Sequence, residues 1–97
     1  MINSLLYIES IKRRFIKMTN LEKYKNAFVE GLEIDIDQVT EDLEYQGIPE
    51  WDSVGHMGLV ACIEDAFDIM MDTDDIIDLS SFQKGIEILA KYDITIE

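Results

Sequence analysis

WDSVGHMGLVACIEDAFDIM, residues 51–70, carries a helical period along its whole length. Wound at 3.6 residues per turn, it separates two faces. Leu59, Val60, Ile63, Ala66, Phe67 and Met70 gather on one broad apolar side, the side a folded chain buries. The other side reads Val54, Met57, Gly58, Ala61, Glu64, Asp65 and Asp68, apolar near the helix start and acidic two turns later. A merely solvated face would be polar from end to end, so this stripe is a candidate docking surface. The plainer alternative packs Val54 and Met57 on the preceding loop. Asp52 and Ser53 stand at the helix start. Backbone N–H groups there lack intrahelical partners and the peptide dipoles favour negative charge, so a phosphodiester on the Ser53 hydroxyl would be stabilised. By spacing alone, Asp52 or Ser53 reads equally well as an N-cap, a device worth ~1 kcal/mol on any helix.

Upstream of this helix, residues from about Ile34 to Asp52 form a long connection holding Gly47 and the sole proline, Pro49. Its apolar residues Ile36, Val39, Leu43, Tyr45 and Ile48 are expected to pin it to the core, and connections this long are usually functional. Before it, Asn20 is placed to cap a helix in which Leu21, Tyr24, Phe28 and Leu32 recur at helical spacing. Downstream, Thr73 is placed to cap one short turn through Ile76 and Ile77. Ser80, with Gln83 three residues on, then opens a last helix lined by Phe82, Ile86 and Leu89. Strand signals are weak throughout. The predicted architecture is all-α, a small four-helix bundle of three main helices and one short one, with the long loop between the first two.

Charge divides the chain. Residues 1–18 hold four basic side chains, Lys12, Arg13, Arg14 and Lys17, against the single acidic Glu9, whereas residues 19–97 hold four basic and twenty acidic. The first segment is therefore read as a basic N-terminal extension, a tail or a loosely docked helix, ahead of a domain spanning 19–97. The net charge of −13 disfavours nucleic acid and anionic membranes and favours proteins with basic patches, or divalent cations. No run approaches the ~20 apolar residues of a membrane span. The basic residues follow the first apolar run instead of preceding it, unlike a signal peptide, so a cytoplasmic location is expected. Cys62, the only cysteine, has no partner for a disulfide or a Cys-x-x-Cys metal site and is read as a buried, inert thiol.

Trp51-Asp52-Ser53-Val54-Gly55-His56-Met57-Gly58-Leu59-Val60, continued by Ile63-Glu64-Asp65-Ala66-Phe67-Asp68-Ile69, resembles the signature of acyl carrier proteins. The likeness covers roughly residues 19–92, with Val39-Thr40 in the loop and Asp74-Asp75 in the short helix also in place. It implies that Ser53 is the attachment site of a covalent 4′-phosphopantetheine arm, installed by a phosphopantetheinyl transferase of the holo-carrier synthase type. Asp52 would assist that modification, perfecting the transferase's magnesium site. The carrier, a monomer, would itself catalyse nothing and bind no metal of its own. It would hold acyl intermediates as thioesters, as in fatty acid or polyketide biosynthesis. Acyl-loading and acyl-processing enzymes would dock through basic patches on Val54, Met57, Gly58, Ala61, Glu64, Asp65 and Asp68. The chain departs from the family at Val54, where Leu is usual. It also departs at Gly55 and Gly58, where acidic residues are frequent and where glycine costs ~1 kcal/mol each relative to alanine. Those glycines and the Trp51-to-Met57 wording point toward a specialised biosynthetic pathway. Two other readings stay open: an aminoacyl or peptidyl carrier, and an unmodified helical interaction module of the same fold.

Competing sites are weaker. His56, the only histidine, lies toward the inner face one turn after Asp52 and reads as a structural contact, with no nucleophile or carboxylate placed beside it by the sequence. Ser53 lacks the G-x-S-x-G elbow of a serine hydrolase. A calcium loop starting at Asp72 would need Gly and Glu where Ile77 and Gln83 stand, so Asp72-Thr73-Asp74-Asp75 reads as a solvated capping segment. Met57, Met70 and Met71 are adaptable side chains beside a candidate cargo site, or ordinary core filler.

Overall fold

The computed structural model describes residues 18–97, so the expected basic extension lies, apart from Met18, outside the described residues. Four α-helices follow in order: α1 Asn20–Leu32, α2 Ser53–Phe67, α3 Thr73–Asp78 and α4 Phe82–Ala90. A 3-10 turn at Ile36–Gln38 interrupts the long α1–α2 loop, and the described residues form no strand beyond one isolated bridge between Glu44 and Ser81. The all-α bundle read from the sequence is the fold observed.

The starts of α1, α3 and α4 differ by one residue from their expected positions, and at α1 and α4 the reason is the better hydrogen-bond reach of the neighbouring side chain. Thr19, not Asn20, caps α1: its hydroxyl accepts from the Glu22 N–H at 3.1 Å, and the Glu22 carboxylate accepts from the Thr19 N–H at 3.2 Å. Asn20 instead donates to the Thr95 carbonyl at 3.0 Å, tying the C-terminal segment to α1. Asp72 rather than Thr73 is the residue before α3, and Ser81 rather than Ser80 caps α4 by accepting from the Lys84 N–H at 2.9 Å. Gln83 reaches back to the Glu41 carbonyl, not to a capping box.

Aromatic side chains from three elements meet in the core. Tyr24 and Phe28 of α1 stack edge-on at 5.0 Å, Phe28 meets Trp51 edge-on at 5.4 Å, and Phe82 of α4 lies 4.9 Å from Tyr24. Such pairs add ~0.5–1.5 kcal/mol each beyond the area they bury. The Tyr24 hydroxyl donates to the Phe82 carbonyl at 2.7 Å, and burial pushes its pKa far above the ordinary phenol range. Leu59, Val60 and Ile63 of α2 complete this core, with Val39 and Leu43 from the loop. Tyr45 and Ile48 pack at its edge as expected, but Ile36 is half exposed, because the 3-10 turn carries it outward.

Glycines set how closely α1 and α2 approach. The helices run antiparallel, with Gly31 against Gly58 at one end and Lys23 near Ala66 at the other. A Cβ on Gly31 would stand 2.5 Å from the Leu59 Cα, and one on Gly58 would stand 2.7 Å from the Gly31 oxygen. Backbone fills the space that a side chain would need. Gly58 is therefore a helix-contact residue facing α1, which corrects its expected place on the outward stripe. Residue 55 is confined in the same way, since a Cβ there would overlap the Glu50 carbonyl. Helix α2 also stops earlier than its hydrophobic period suggests. Asp68 adopts a left-handed conformation, φ 52°, and its N–H closes on the Glu64 carbonyl. Met70 consequently leaves the helical register and is 86% exposed, correcting its expected burial, while Ala66 and Phe67 are only partly buried.

Candidate functional site

The loop delivers Asp52 and Ser53 to the start of α2 in a defined geometry. Tyr45 N–H donates to the Ser80 carbonyl at 2.9 Å and Phe82 N–H to the Leu43 carbonyl at 2.8 Å, stitching the loop to the α3–α4 junction. Gln46 N–H then donates to the Trp51 carbonyl at 2.9 Å, closing a compact turn over Pro49. The Trp51 ring is fully buried and anchors the segment. One residue later the chain is at the surface.

Asp52 is the N-cap: its carboxylate accepts from the Gly55 N–H at 2.8 Å. Ser53 is the first helical residue and is exposed, its hydroxyl free of the capping role and 3.4 Å from the Tyr45 hydroxyl. Spacing alone left Asp52 and Ser53 as equal N-cap candidates; the geometry separates them. With Gly55 satisfied by Asp52 and the His56 N–H donating to the Asp52 carbonyl at 2.8 Å, the N–H groups of Ser53 and Val54 are those left at the helix end for an anion.

Beside Ser53 opens a groove of about 390 Å³ between the first turns of α2 and helix α3. His56 and Met57 line it from α2, Ile76 and Ile77 from α3, and Leu79 from the turn that follows. Tyr45 and Ser80 add hydroxyls at its margin. Val54 is 81% and Met57 59% exposed, so neither packs on the long loop; with Ile77, 72% exposed, they form an apolar rim around the serine. Ala61, Asp65 and Asp68 are exposed further along α2. Glu64 is only half exposed, because one of its oxygens accepts from the Met71 N–H at 2.9 Å and fixes the turn after α2. Of the outward stripe, Val54, Met57, Ala61, Asp65 and Asp68 thus share the exposed side, Glu64 sits at its edge, and Gly58 lies inward.

His56 carries more of the site than the sequence indicated. Its Nδ1 lies 2.9 Å from Trp51 Nε1 and its Nε2 lies 2.8 Å from the Ile76 carbonyl, and the imidazole stacks on the indole with 13° between the planes. Trp51 stands just ahead of α2, but Ile76 belongs to α3, and no local pattern could have paired it with His56. Helix α3 is held from its other side by Asp75. This carboxyl, 5% exposed, is ion-paired with Lys91 and accepts from the Tyr92 hydroxyl at 2.6 Å. The Lys91 hydrogen bond, and then that of Tyr92, hold it below the usual carboxylate range. Asp75 is thus a buried clamp, which corrects its reading as part of a solvated segment. Among the described residues no group of three or more His, Cys, Asp or Glu is placed to hold a metal ion.

Cys62 lies partly buried in a second groove between α1 and α2; burial first, then Glu30 and Asp65, push its thiol pKa up, away from reactivity. No helix among the described residues is long and apolar enough to cross a membrane. Neither a protein-family model nor a curated protein sequence matches the chain.

Proposed function

We propose that this chain is an acyl carrier protein that holds its cargo as a thioester on a 4′-phosphopantetheine arm attached to Ser53. The observation that carries the reading is the exposed Ser53 hydroxyl, released from capping by Asp52, at a helix N-terminus beside an apolar groove. In the modification, Ser53 Oγ bonds to the phosphorus that bears the pantetheine arm of coenzyme A. The pyrophosphate P–O bond breaks, adenosine 3′,5′-bisphosphate leaves with the electron pair, and the hydroxyl proton passes to a base on the transferase. The residues fit the group: the resulting phosphodiester would meet the Ser53 and Val54 N–H groups and the positive end of the α2 dipole.

The arm's terminal thiol would keep a thioester tethered, raising its effective concentration at successive enzymes. Met57, Ile76, Ile77 and Leu79 offer an apolar surface for the cargo close to the attachment point. Docking enzymes would read Val54 and Met57 as apolar contacts and Asp65 and Asp68 as charges, a combination suited to fast and reversible exchange. A cytoplasmic monomer serving a specialised biosynthetic pathway is the setting this reading implies. Its test is chemical: the chain recovered from its own cells should yield a proteolytic peptide containing Ser53 with phosphopantetheine in phosphodiester linkage. An unmodified peptide, with the chain at its normal abundance and its partners present, would favour an interaction module instead.

A further inference from the structure

The indole N–H of Trp51 is a donor only, so the His56 Nδ1 that it meets at 2.9 Å must be unprotonated. The ring proton therefore sits on Nε2, which donates to the Ile76 carbonyl at 2.8 Å. The geometry selects one tautomer of the neutral imidazole. Ile76 lies in the last turn of a six-residue helix, where carbonyls have no intrahelical partner, so His56 supplies the bond that α3 cannot make for itself. Ile76 and His56 both line the groove beside Ser53, so this bond ties its α3 wall to α2.

We infer that His56 is a positioning residue for the Ser53 site, a latch whose neutral imidazole holds α3 against α2 and whose protonation releases the groove wall. This rests on the carrier reading only for what the groove holds; the latch itself is a property of the unmodified chain. An imidazolium would point Nδ1–H at the Trp51 N–H, donor against donor. Trp51 is fully buried against Phe28 and cannot yield, whereas His56 is at the half-buried edge, so the imidazole moves and Nε2 leaves Ile76. The titratable neighbours do not supply an alternative acceptor. Tyr45, from the loop, meets the ring edge-on at 5.6 Å, the Asp52 carboxylate is bonded to Gly55, and Asp75 of α3 is committed to Lys91 and Tyr92. The remaining carboxylates of α3, Asp74 and Asp78, are exposed. Cargo chemistry follows: with the imidazole neutral the groove would hold a small apolar group against Ile76 and Ile77, and with it protonated the groove would let it go.

The test is an NMR titration of the unmodified, isotope-labelled chain from about pH 8 downward until the His56 nitrogens report protonation. At pH 8 the His56 nitrogens should report a bare Nδ1 and a protonated Nε2. As the imidazole titrates, the single indole N–H signal and the Ile76 and Ile77 amides should shift with the same midpoint, while far-UV circular dichroism stays constant. His56→Gln, which can donate to Ile76 without titrating, should abolish the step. Trp51→Phe should leave an imidazole that titrates without moving α3, because no opposing donor remains. A protonated Nδ1 at pH 8, α3 signals indifferent to the imidazole, or the same step in His56→Gln would each overturn the latch. Mass gain at Ser53 with coenzyme A and a transferase is scored separately, so a chain that takes no arm still tests the latch. On a chain loaded with a short apolar thioester, nuclear Overhauser contacts from the cargo to Ile76 and Ile77 should be present at about pH 8 and lost once the imidazole is protonated.

Discussion

Replacing Gly31 or Gly58 with alanine gives opposite signs in two accounts of α1 and α2. In an isolated helix, glycine to alanine stabilises by ~1 kcal/mol. In this fold the new Cβ at residue 31 would lie 2.5, 2.8 and 2.9 Å from backbone atoms of Leu59 and Gly58, none of which has a rotamer to yield. Overpacking of that kind costs about 1–3 kcal/mol, and three backbone contacts put Gly31→Ala at the upper end. Net of the helix gain, Gly31→Ala should destabilise by ~2 kcal/mol. At residue 58 only the Gly31 oxygen, at 2.7 Å, is closer than 3 Å, so Gly58→Ala should cost about half as much. For a domain of this size, ~2 kcal/mol lowers Tm by roughly 8–16 °C. The double variant should cost less than the sum, since helices already pushed apart admit the second methyl freely. Urea and thermal melts followed at 222 nm decide it. A rise in stability for either single variant, by the amount that helix propensity alone provides, would refute the close crossing and return Gly58 to the exposed stripe.

Tyr24→Phe should destabilise by ~1 kcal/mol in a urea melt, because it removes a buried hydrogen bond from the Tyr24 hydroxyl to the Phe82 carbonyl; a neutral result would mean that this bond adds nothing net to the fold. Glu33→Gly should stabilise by ~1 kcal/mol, since Glu33 ends α1 at φ 55°, where a Cβ is penalised. Asp75 has a lowered folded-state pKa, so its pairing stabilises the fold above the ordinary carboxylate pKa of about 4 and is lost as pH falls through the lower folded value. Lys91, held up chiefly by its hydrogen bond to Asp75, loses the same contribution as pH rises through its raised value. Asp75→Asn should therefore melt below the wild type at pH 7, and the gap should close on acidification below pH ~4. A gap that persists unchanged at low pH would place the effect in packing.

The helices and the inner face of α2 were legible because burial imposes a local period, and Leu59, Val60 and Ile63 keep it without interruption. Caps were legible only to within a residue. Thr19 beats Asn20, and Ser81 beats Ser80, through side-chain geometry that composition does not encode. Met70 was misplaced because periodicity continues past Asp68 while the backbone does not. The rest was hidden for one reason, that it joins residues far apart in sequence. Gly58 looks like an exposed gap in an acidic stripe until Gly31 is laid against it. Asp75 looks like one of several solvated aspartates until Lys91 and Tyr92 close on it. His56 looks solitary until Ile76 arrives from α3. At Ser53 the sequence supplied the residue and its neighbour, and the geometry added the division of labour, with Asp52 capping and Ser53 free.

The carrier reading stands most directly on one reaction. The purified chain and its Ser53→Ala variant are incubated with coenzyme A, magnesium and a broad-specificity phosphopantetheinyl transferase, and intact masses are compared. The wild type should gain one phosphopantetheine and Ser53→Ala none, with both proteins equally folded. An unmodified wild type across several transferases, or equal gain on both chains, would contradict it.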